Sequence, residues 1–293
     1  MYIDKFCEYL DLERNYSDRT IQSYRKDLEL FESFFLGIDR QLDFCTIDRD
    51  IVRSWTAGMI ENGCTPSTVN RKLSTLRSFY KFMCARGYTV SSPAYGLKGP
   101  KGSKPLPRFV RESEMDRLLD ETDLGSGFSG ALNRAVITVL YETGMRLAEL
   151  VGLNDADISF DTHTIKVLGK RDKQRIIPFG DELENVLGAY LQERGSVIRN
   201  CPDAFFINQK GNRIQRHQVY KIVRDSLSLV SVPGKKSPHV LRHTFATTML
   251  NHDAGLGVVK ELLGHESLAT TQIYTHTTSE ELKRIYRQAH PRT

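Results

Sequence analysis

Residues 237–245 read Ser-Pro-His-Val-Leu-Arg-His-Thr-Phe, which is the pattern of a helix start. A serine can cap a helix, and a proline fits the first turn because the N–H that it lacks would have no partner there. His239 and Arg242 are three residues apart, so a helix places both on one face near its positive end. Backbone N–H groups, the helix dipole and a guanidinium then converge, which predicts an anion-binding site.

Three further polar residues in the same half of the chain suit phosphate chemistry. Arg146 follows Gly144, His265 follows a second glycine, and Tyr274 comes nine residues later. An arginine fork matches phosphate oxygens, whereas a phenol with a pKa near ~10 attacks only when its proton is removed and the product charge is stabilised. Each residue alone has an ordinary structural explanation. Together they favour a site that holds a phosphodiester while a tyrosine attacks it.

The hydrophobic spacing predicts two parts with different fold classes. Residues 1–97 are expected to form an all-α helical bundle, and the remainder a mostly α domain with a small antiparallel β-sheet (α+β). The expected N-terminal helices span 4–12, 17–35, 48–62 and 65–87. The expected C-terminal helices span 112–122, 133–142, 182–193, 217–230, 238–251, 258–263 and 280–288, with strands at 157–160, 164–168 and 174–179.

The basic residues are unevenly distributed, although the net charge is only +5. Residues 62–111 contain no Asp or Glu, and 98–107 form a basic linker rich in proline and glycine. A folded segment with charges of one sign indicates a surface for a polyanion such as DNA. Lys72 lies nearer the apolar side of its helix and is the weaker candidate. The candidate DNA-binding residues are Arg71, Lys72, Arg77, Lys81, Lys101 and Lys104.

The remaining composition favours a cytoplasmic protein. Five widely spaced cysteines are typical of reduced thiols, since no Cys-x-x-Cys pair occurs. The sequence has no apolar run long enough for a membrane span and no secretory leader at its start. We therefore expect no membrane partner.

The combined motifs resemble the tyrosine site-specific recombinases, also called the phage integrase family, over nearly the whole chain. Residues 239–247, 262–265, 270–276 and 289–292 look especially like bacterial Xer-type recombinases. One departure is Gly-Leu-Gly at 255–257, where such proteins more often carry polar residues. The family's catalytic set matches Arg146, Lys170, His239, Arg242, His265 and Tyr274.

The resemblance implies a role for each of these residues. Tyr274 would attack a DNA phosphorus to form a 3′-phosphotyrosyl link, while Arg146 and Arg242 would stabilise the developing charge. Lys170, or failing it Lys173, would protonate the leaving 5′ oxygen. His239 would assist proton transfer at the phenol, and His265 would bind a phosphate oxygen. No cofactor, metal ion or ATP is implied.

The resemblance also implies an organisation and partners. Residues 1–97 would be a core-binding domain on DNA, 98–107 a linker and 108–293 the catalytic domain. The partner would be a double-stranded DNA recombination site. The protein would act as a homo- or hetero-tetramer on two duplexes and exchange strands through a Holliday junction. It would lie in the cytoplasm of a bacterium, associated with the nucleoid. A C-terminal helix would dock on a neighbouring subunit. A second recombinase or a DNA translocase stays open as a partner, as do chromosome dimer resolution, element integration and inversion as roles.

Three alternatives remain at the level of sequence. A type IB topoisomerase-like enzyme would use the same residues but relax supercoiled DNA without a special site. A DNA-binding regulator would form no covalent adduct. A metal-dependent hydrolase would use His239, His243 and His265, although no acidic residue lies between the first two as in His-Glu-x-x-His.

Overall fold

The computed structural model describes residues 1–102, 109–169, 174–197, 200–230, 234, 236–264 and 279–292. The chain divides into two compact units, Met1–Pro105 and Leu106–Thr293. The first is helical, and the second combines helices with one three-stranded antiparallel sheet. The fold class expected from the sequence is confirmed. Within the part of the chain that the structure describes, every helix is too short or too polar to span a lipid bilayer.

The first unit contains four helices around an aromatic core. Asp48 caps the third helix by accepting from the backbone N–H groups of residues 50 and 51, and Thr65 caps the fourth helix, which has Pro66 in its first turn. Phe31 and Phe79 lie at the centre of the core, fully buried. The helices are α1 (Tyr2–Glu8, continued by a π-helical turn at Tyr9–Glu13), α2 (Asp18–Ile38), α3 (Arg49–Glu61) and α4 (Pro66–Ala85).

The second unit is organised around one buried helix. Helix α6 (Gly127–Thr143) packs against α8 (Asp181–Arg194), α9 (Arg216–Ser226) and α10 (Pro238–Asn251), and eleven of its residues are buried. The first described helix is α5 (Glu112–Asp116), continued by a π-helical turn at Arg117–Glu121. The others are α6 (Gly127–Thr143), α7 (Leu147–Gly152), α8 (Asp181–Arg194), α9 (Arg216–Ser226), α10 (Pro238–Asn251), α11 (Leu256–Leu263) and α12 (Ser279–Ala289).

The sheet has the order β1-β2-β3, with strands Ile158–Ser159, Thr164–Leu168 and Gln174–Pro178. In β2, Ile165 and Val167 are buried while Lys166 is exposed, as the alternation of side chains in a strand requires. Val167 is paired with Arg175 of β3. This register matters for the site, because it places the side chain of Arg175 on the same face of β3 as the buried Ile177.

Two helices differ clearly from their predicted bounds, and a third was not predicted. Alpha-helix α6 begins at Gly127, six residues before the prediction, because two glycines concealed its start. A Cβ on Gly130 would lie 2.0 Å from the carbonyl oxygen of Gly125, so the second glycine is required by close packing. Helix α9 ends four residues earlier than predicted, at Ser226. Helix α7 was not predicted, since six residues are too few for a periodic pattern.

The C-terminal helix packs on its own unit in this single chain. Tyr286 of α12 is fully buried, and its hydroxyl donates to the backbone oxygen of Glu142 at 3.1 Å. Arg292 donates to the carboxylates of Asp116, Asp120 and Glu182. The sequence resemblance implies docking of this helix on a neighbouring subunit, which a single chain does not display.

Candidate active site

Arg146 is held in place by the turn between α6 and α7. Gly144 ends α6 with a left-handed φ of 58°, and a Cβ there would meet the ring of Phe245 at 2.4 Å. Arg146 then occupies the N-cap position of α7 (Leu147–Gly152). Its backbone N–H donates to Glu149 Oε2 at 2.7 Å and its Nη1 to Glu149 Oε1 at 2.9 Å. Glu149 therefore holds this side chain in place.

Arg242 lies on the first turns of α10 and is buried, with 8% of its surface exposed. Its Nη1 donates to the backbone oxygen of Gly144 at 2.7 Å, and its Nη2 to that of Leu263 at 2.6 Å. Burial, and after it the positive charge of Arg146, lowers the pKa of Arg242 to about 10. The side chain therefore remains a cation at neutral pH.

The two predicted arginines meet at the carboxyl end of α11. While Arg242 binds the oxygen of Leu263, Nη2 of Arg146 donates to the next oxygen, that of Gly264, at 2.8 Å. A third arginine, Arg175, donates from Nε to the preceding oxygen, that of Leu262, at 2.7 Å. The last carbonyls of a helix carry partial negative charge, which accounts for three guanidinium groups in so small a space.

Sequence reasoning missed Arg175 as a site residue. Its Nη1 and Nη2 donate to the two oxygens of Glu149 at 2.8 and 2.9 Å, as a two-bond ion pair. The alternation of β3 contained a signal, because Arg175 shares a face with the buried Ile177 and a charged residue on such a face needs a partner.

The ion pairs keep Glu149 ionised in spite of its burial. Burial alone would raise the pKa of Glu149, but the hydrogen bonds from Arg175 and Arg146 outweigh it and hold the pKa below the ordinary value. Three positive charges against one negative charge leave this arginine cluster with an excess of two. We define the arginine cluster as Arg146, Arg175, Arg242 and their shared acid Glu149.

This arrangement suits an anion that approaches from solvent. The side chain of Arg146 is 37% exposed, whereas those of Arg175 and Glu149 are 12% and 4% exposed. The bonds to described residues use only part of the N–H groups of Arg146 and Arg242. Donors fixed in advance and aimed at a developing charge are the usual means by which proteins stabilise a transition state.

The remaining predicted residues lie partly outside this description. His239 is exposed on the first turn of α10, as predicted. The start of α10 differs from the anion site that the sequence predicts. Ser237 precedes the helix but makes no side-chain capping bond. Arg242 donates to backbone carbonyl oxygens of other elements. The residues Lys170, Lys173, His265 and Tyr274 lie outside the described residues, as does Lys104.

The basic residues of α4 occupy the face that the pattern predicts. Arg71, Arg77 and Lys81 are exposed, and the apolar residues of α4 face the core. Arg77 donates to the backbone oxygen of Leu97, which leaves its charge uncompensated. In the linker, Lys98 and Lys101 are exposed.

Two of these charges are partly balanced by an acid from another helix. Asp27 of α2 is buried and accepts from Arg71, from Lys72 at 3.1 Å and from Thr75 at 3.0 Å. The side chain of Lys72 is only 12% exposed and lies over the ring of Trp55. The absence of acids along the sequence therefore overstates the free charge, and Lys72 remains the weakest candidate for a DNA contact.

The metal alternative gains little from the geometry. His239 and His243 are both exposed on α10. Among the described residues, one group of possible ligands lies close together, His163, Asp181 and Glu184. His163 Nδ1 is 3.7 Å from Asp181 Oδ1, while Nε2 is 3.4 Å from Glu184 Oε2, so the two carboxylates face different ring nitrogens. This group shares no residue with the predicted catalytic set.

Comparison with known families gives two matches that together cover most of the chain. Residues 108–281 match the phage integrase family, and residues 3–87 match the phage integrase N-terminal SAM-like domain. The first match contains all six predicted catalytic positions, and the second contains the basic face of α4.

Individual relatives and solved structures agree with these matches. The chain is 39% identical to the tyrosine recombinase XerC of Oceanobacillus iheyensis, covering 100% of this chain and 96% of that protein. It is 35% identical to XerD of the same organism, covering 99% and 98%. The structure resembles the XerH site-specific recombinase bound to its difH substrate, with a TM-score of 0.70 and 26% identity over 96% of this chain and 82% of that one.

Proposed function

This chain belongs to the phage integrase family and is a tyrosine recombinase, an enzyme of site-specific recombination that cleaves and rejoins DNA, and we propose that Tyr274 is its nucleophile. The Tyr274 oxygen would bond to phosphorus as the P–O5′ bond breaks, which gives a 3′-phosphotyrosyl link and a free 5′-hydroxyl. A 5′-hydroxyl of the second duplex would reverse the step, so that strands are exchanged through a Holliday junction. Bond energy is kept in the link, and ATP is not needed.

The observation that carries this proposal is the meeting of Arg146 and Arg242. Their guanidinium groups bind the oxygens of Gly264 and Leu263, at the point where the chain continues into the segment that contains His265 and Tyr274. Two preorganised cations can stabilise the two non-bridging oxygens of a phosphorane, and removing one such donor typically costs about 10²–10³ in rate. They fulfil the role that a metal ion has in many other phosphoryl-transfer enzymes.

Three further residues would handle protons and orientation. We propose that Lys170, whose position in the sequence lies between β2 and β3, protonates the leaving 5′ oxygen, with Lys173 as the alternative. His239 would assist proton transfer at the phenol, since it lies in the first turn of the helix that carries Arg242. His265 would donate a hydrogen bond to a phosphate oxygen. These assignments rest on the family match and on the chemistry of each group.

The domains would divide the work on DNA. Residues 1–97 would bind the duplex through α4, mainly with Arg77 and Lys81, whose charges no described acid balances, and with Arg71. The linker at 98–107 would follow the DNA backbone with Lys101 and Lys104. Residues 108–293 would carry the chemistry.

The working assembly would be a tetramer on two duplexes. Relatives named XerC and XerD in one organism support a hetero-tetramer with a second recombinase as well as a homo-tetramer. A DNA translocase would be an additional partner. Because the substrate is DNA, we place the protein in the cytoplasm, associated with the nucleoid.

One experiment first finds the DNA site and then tests the nucleophile. DNA ends trapped covalently on the protein in bacterial cells are sequenced, and the site is built into a nicked duplex whose cleaved fragment diffuses away, called the suicide duplex below. The unaltered protein should accumulate a covalent adduct with this duplex. Tyr274→Phe should bind the duplex equally well and form none, and an adduct formed by that variant would refute the assignment.

A further inference from the structure

The arginine cluster contains more cations than the catalytic set requires. Among the described residues, Arg175 makes three hydrogen bonds, two to Glu149 and one to the backbone oxygen of Leu262. It is almost buried and therefore poorly placed to contact DNA itself. Its side chain instead joins β3 to α7 and to the end of α11, the two elements that the guanidinium of Arg146 also contacts.

The charge balance shows what Arg175 contributes. Glu149 accepts from Arg146 at both oxygens, and if it had no other partner this buried carboxylate would neutralise Arg146. An arginine whose charge is cancelled by a neighbouring carboxylate is a weaker partner for a phosphate. Arg175 pairs with the same carboxylate through two parallel bonds, so the charge of Arg146 remains in excess.

The packing at the end of α11 adds a geometric role. Gly264 has a left-handed φ of 62°, and a Cβ at this position would lie 3.2 Å from Nη1 of Arg175. The arginine thus lies directly against the turn whose oxygen binds Arg146. Moving Arg175 would therefore disturb both groups that orient Arg146, the carboxylate of Glu149 and the backbone oxygen of Gly264.

We propose that Arg175 is a positioning residue for strand cleavage, which takes up the charge of Glu149 and thereby keeps the charge and the orientation of Arg146 available to the scissile phosphate. The inference rests on the proposed function and adds a residue to its site. Arg175 touches neither the phosphate nor the phenol in this role, because it acts through Glu149 and the end of α11.

The test compares single-turnover adduct formation on the suicide duplex among variants. Arg175→Met should slow adduct formation by about 10- to 100-fold, the loss typical of removing a group that orients a reacting centre. The dissociation constant for the duplex should change by less than about threefold, because the residue does not contact DNA. Arg175→Lys, which keeps the charge but loses the two-bond geometry, should react at an intermediate rate.

A double variant separates the charge from simple structural damage. In Glu149→Gln with Arg175→Met, the buried acid and its partner are both neutral, so the excess charge on Arg146 is restored. We expect this pair to react faster than Arg175→Met alone. A double variant that is no faster than Arg175→Met would overturn the charge argument.

Arg194→Met is the matched control. Arg194 is also almost buried, also pairs through two bonds with a carboxylate, that of Asp155, and also binds backbone oxygens, but it lies outside the arginine cluster. Its loss should lower thermal stability and leave the rate, measured well below the unfolding temperature, unchanged.

The two levels of the proposal fail in different ways. If the unaltered protein forms no adduct, the proposed function is wrong and this inference falls with it. If the unaltered protein forms the adduct and Arg175→Met is equally fast, only the inference is overturned. An equal slowing by Arg194→Met would also overturn it, since any lost buried ion pair would then have the same effect.

Discussion

Replacing Arg242 with lysine tests its two roles, as a cation in the site and as a donor to buried backbone oxygens. Arg242 binds two backbone oxygens from different elements, that of Gly144 at the end of α6 and that of Leu263 in α11. A lysine ends in one nitrogen and cannot bridge the two as a planar fork does. Arg242→Lys therefore keeps the charge and leaves one of two buried carbonyl groups without its donor.

The structure gives two separate magnitudes for this change. A buried acceptor that loses its donor costs about 1–3 kcal/mol in the free energy of unfolding. For a unit of this size, that corresponds to a lowering of Tm by about 2–4 °C for each kcal/mol. The loss of a forked donor at the phosphate should in addition slow adduct formation by about 10²–10³-fold.

Both quantities are measurable on the same preparation, by thermal unfolding and by single-turnover reaction with the suicide duplex. Arg213→Lys is the control, because Arg213 also binds two backbone oxygens, those of Val151 and Leu153, outside the arginine cluster. It should lose stability and keep its rate. An Arg242→Lys variant with unchanged Tm and unchanged rate would refute both parts of the reasoning.

Two further predictions concern other parts of the chain. Glu142 is buried, and burial raises the pKa of its carboxyl group well above the ordinary value, so the folded state holds a proton that the unfolded state loses as the pH rises above about 4.5. The unaltered protein therefore loses stability as the pH rises. Glutamine does not titrate, so the free energy of unfolding of Glu142→Gln, relative to that of the unaltered protein, should increase between pH 5 and 8 by up to about 1.4 kcal/mol per pH unit. A difference that stays constant over this range would contradict a buried, protonated Glu142. Replacing Arg77 and Lys81 with glutamine should weaken DNA binding and reduce the slope of log K against log salt by about 2, because each lost phosphate contact contributes about 0.9. Arg53→Gln, on the exposed side of α3, should leave that slope unchanged, and an unchanged slope in the double variant would remove α4 from the DNA surface.

The sequence predicts most of the helices and the sheet because their signals are local. Thr65 and Pro66 mark the start of α4 by capping chemistry, and the alternation of β2 indicates which residues are buried. Helix α7 has no such signal, since it is one turn and a half held by tertiary contacts. The glycines at the start of α6 have low helix propensity, but Gly130 is required by close packing against Gly125 and Gly127 adopts a left-handed φ of 57°.

The same distinction applies to the site. The spacing that places His239 and Arg242 on one face of a helix is local and was predicted. The bonds from Arg242 to Gly144 and Leu263 join residues 98 and 21 positions apart, which no local pattern contains. The role of Arg175 was not predicted for the same reason, because its partner Glu149 lies 26 residues earlier.

The most direct test is to identify the residue that carries the DNA. The adduct between the unaltered protein and the suicide duplex is digested with protease and nuclease, and the modified peptide is sequenced by mass spectrometry. The chain contains 12 tyrosines. We predict a nucleotide 3′-phosphate on Tyr274 alone, whereas attachment to any other tyrosine, or to a serine, would contradict the proposed mechanism.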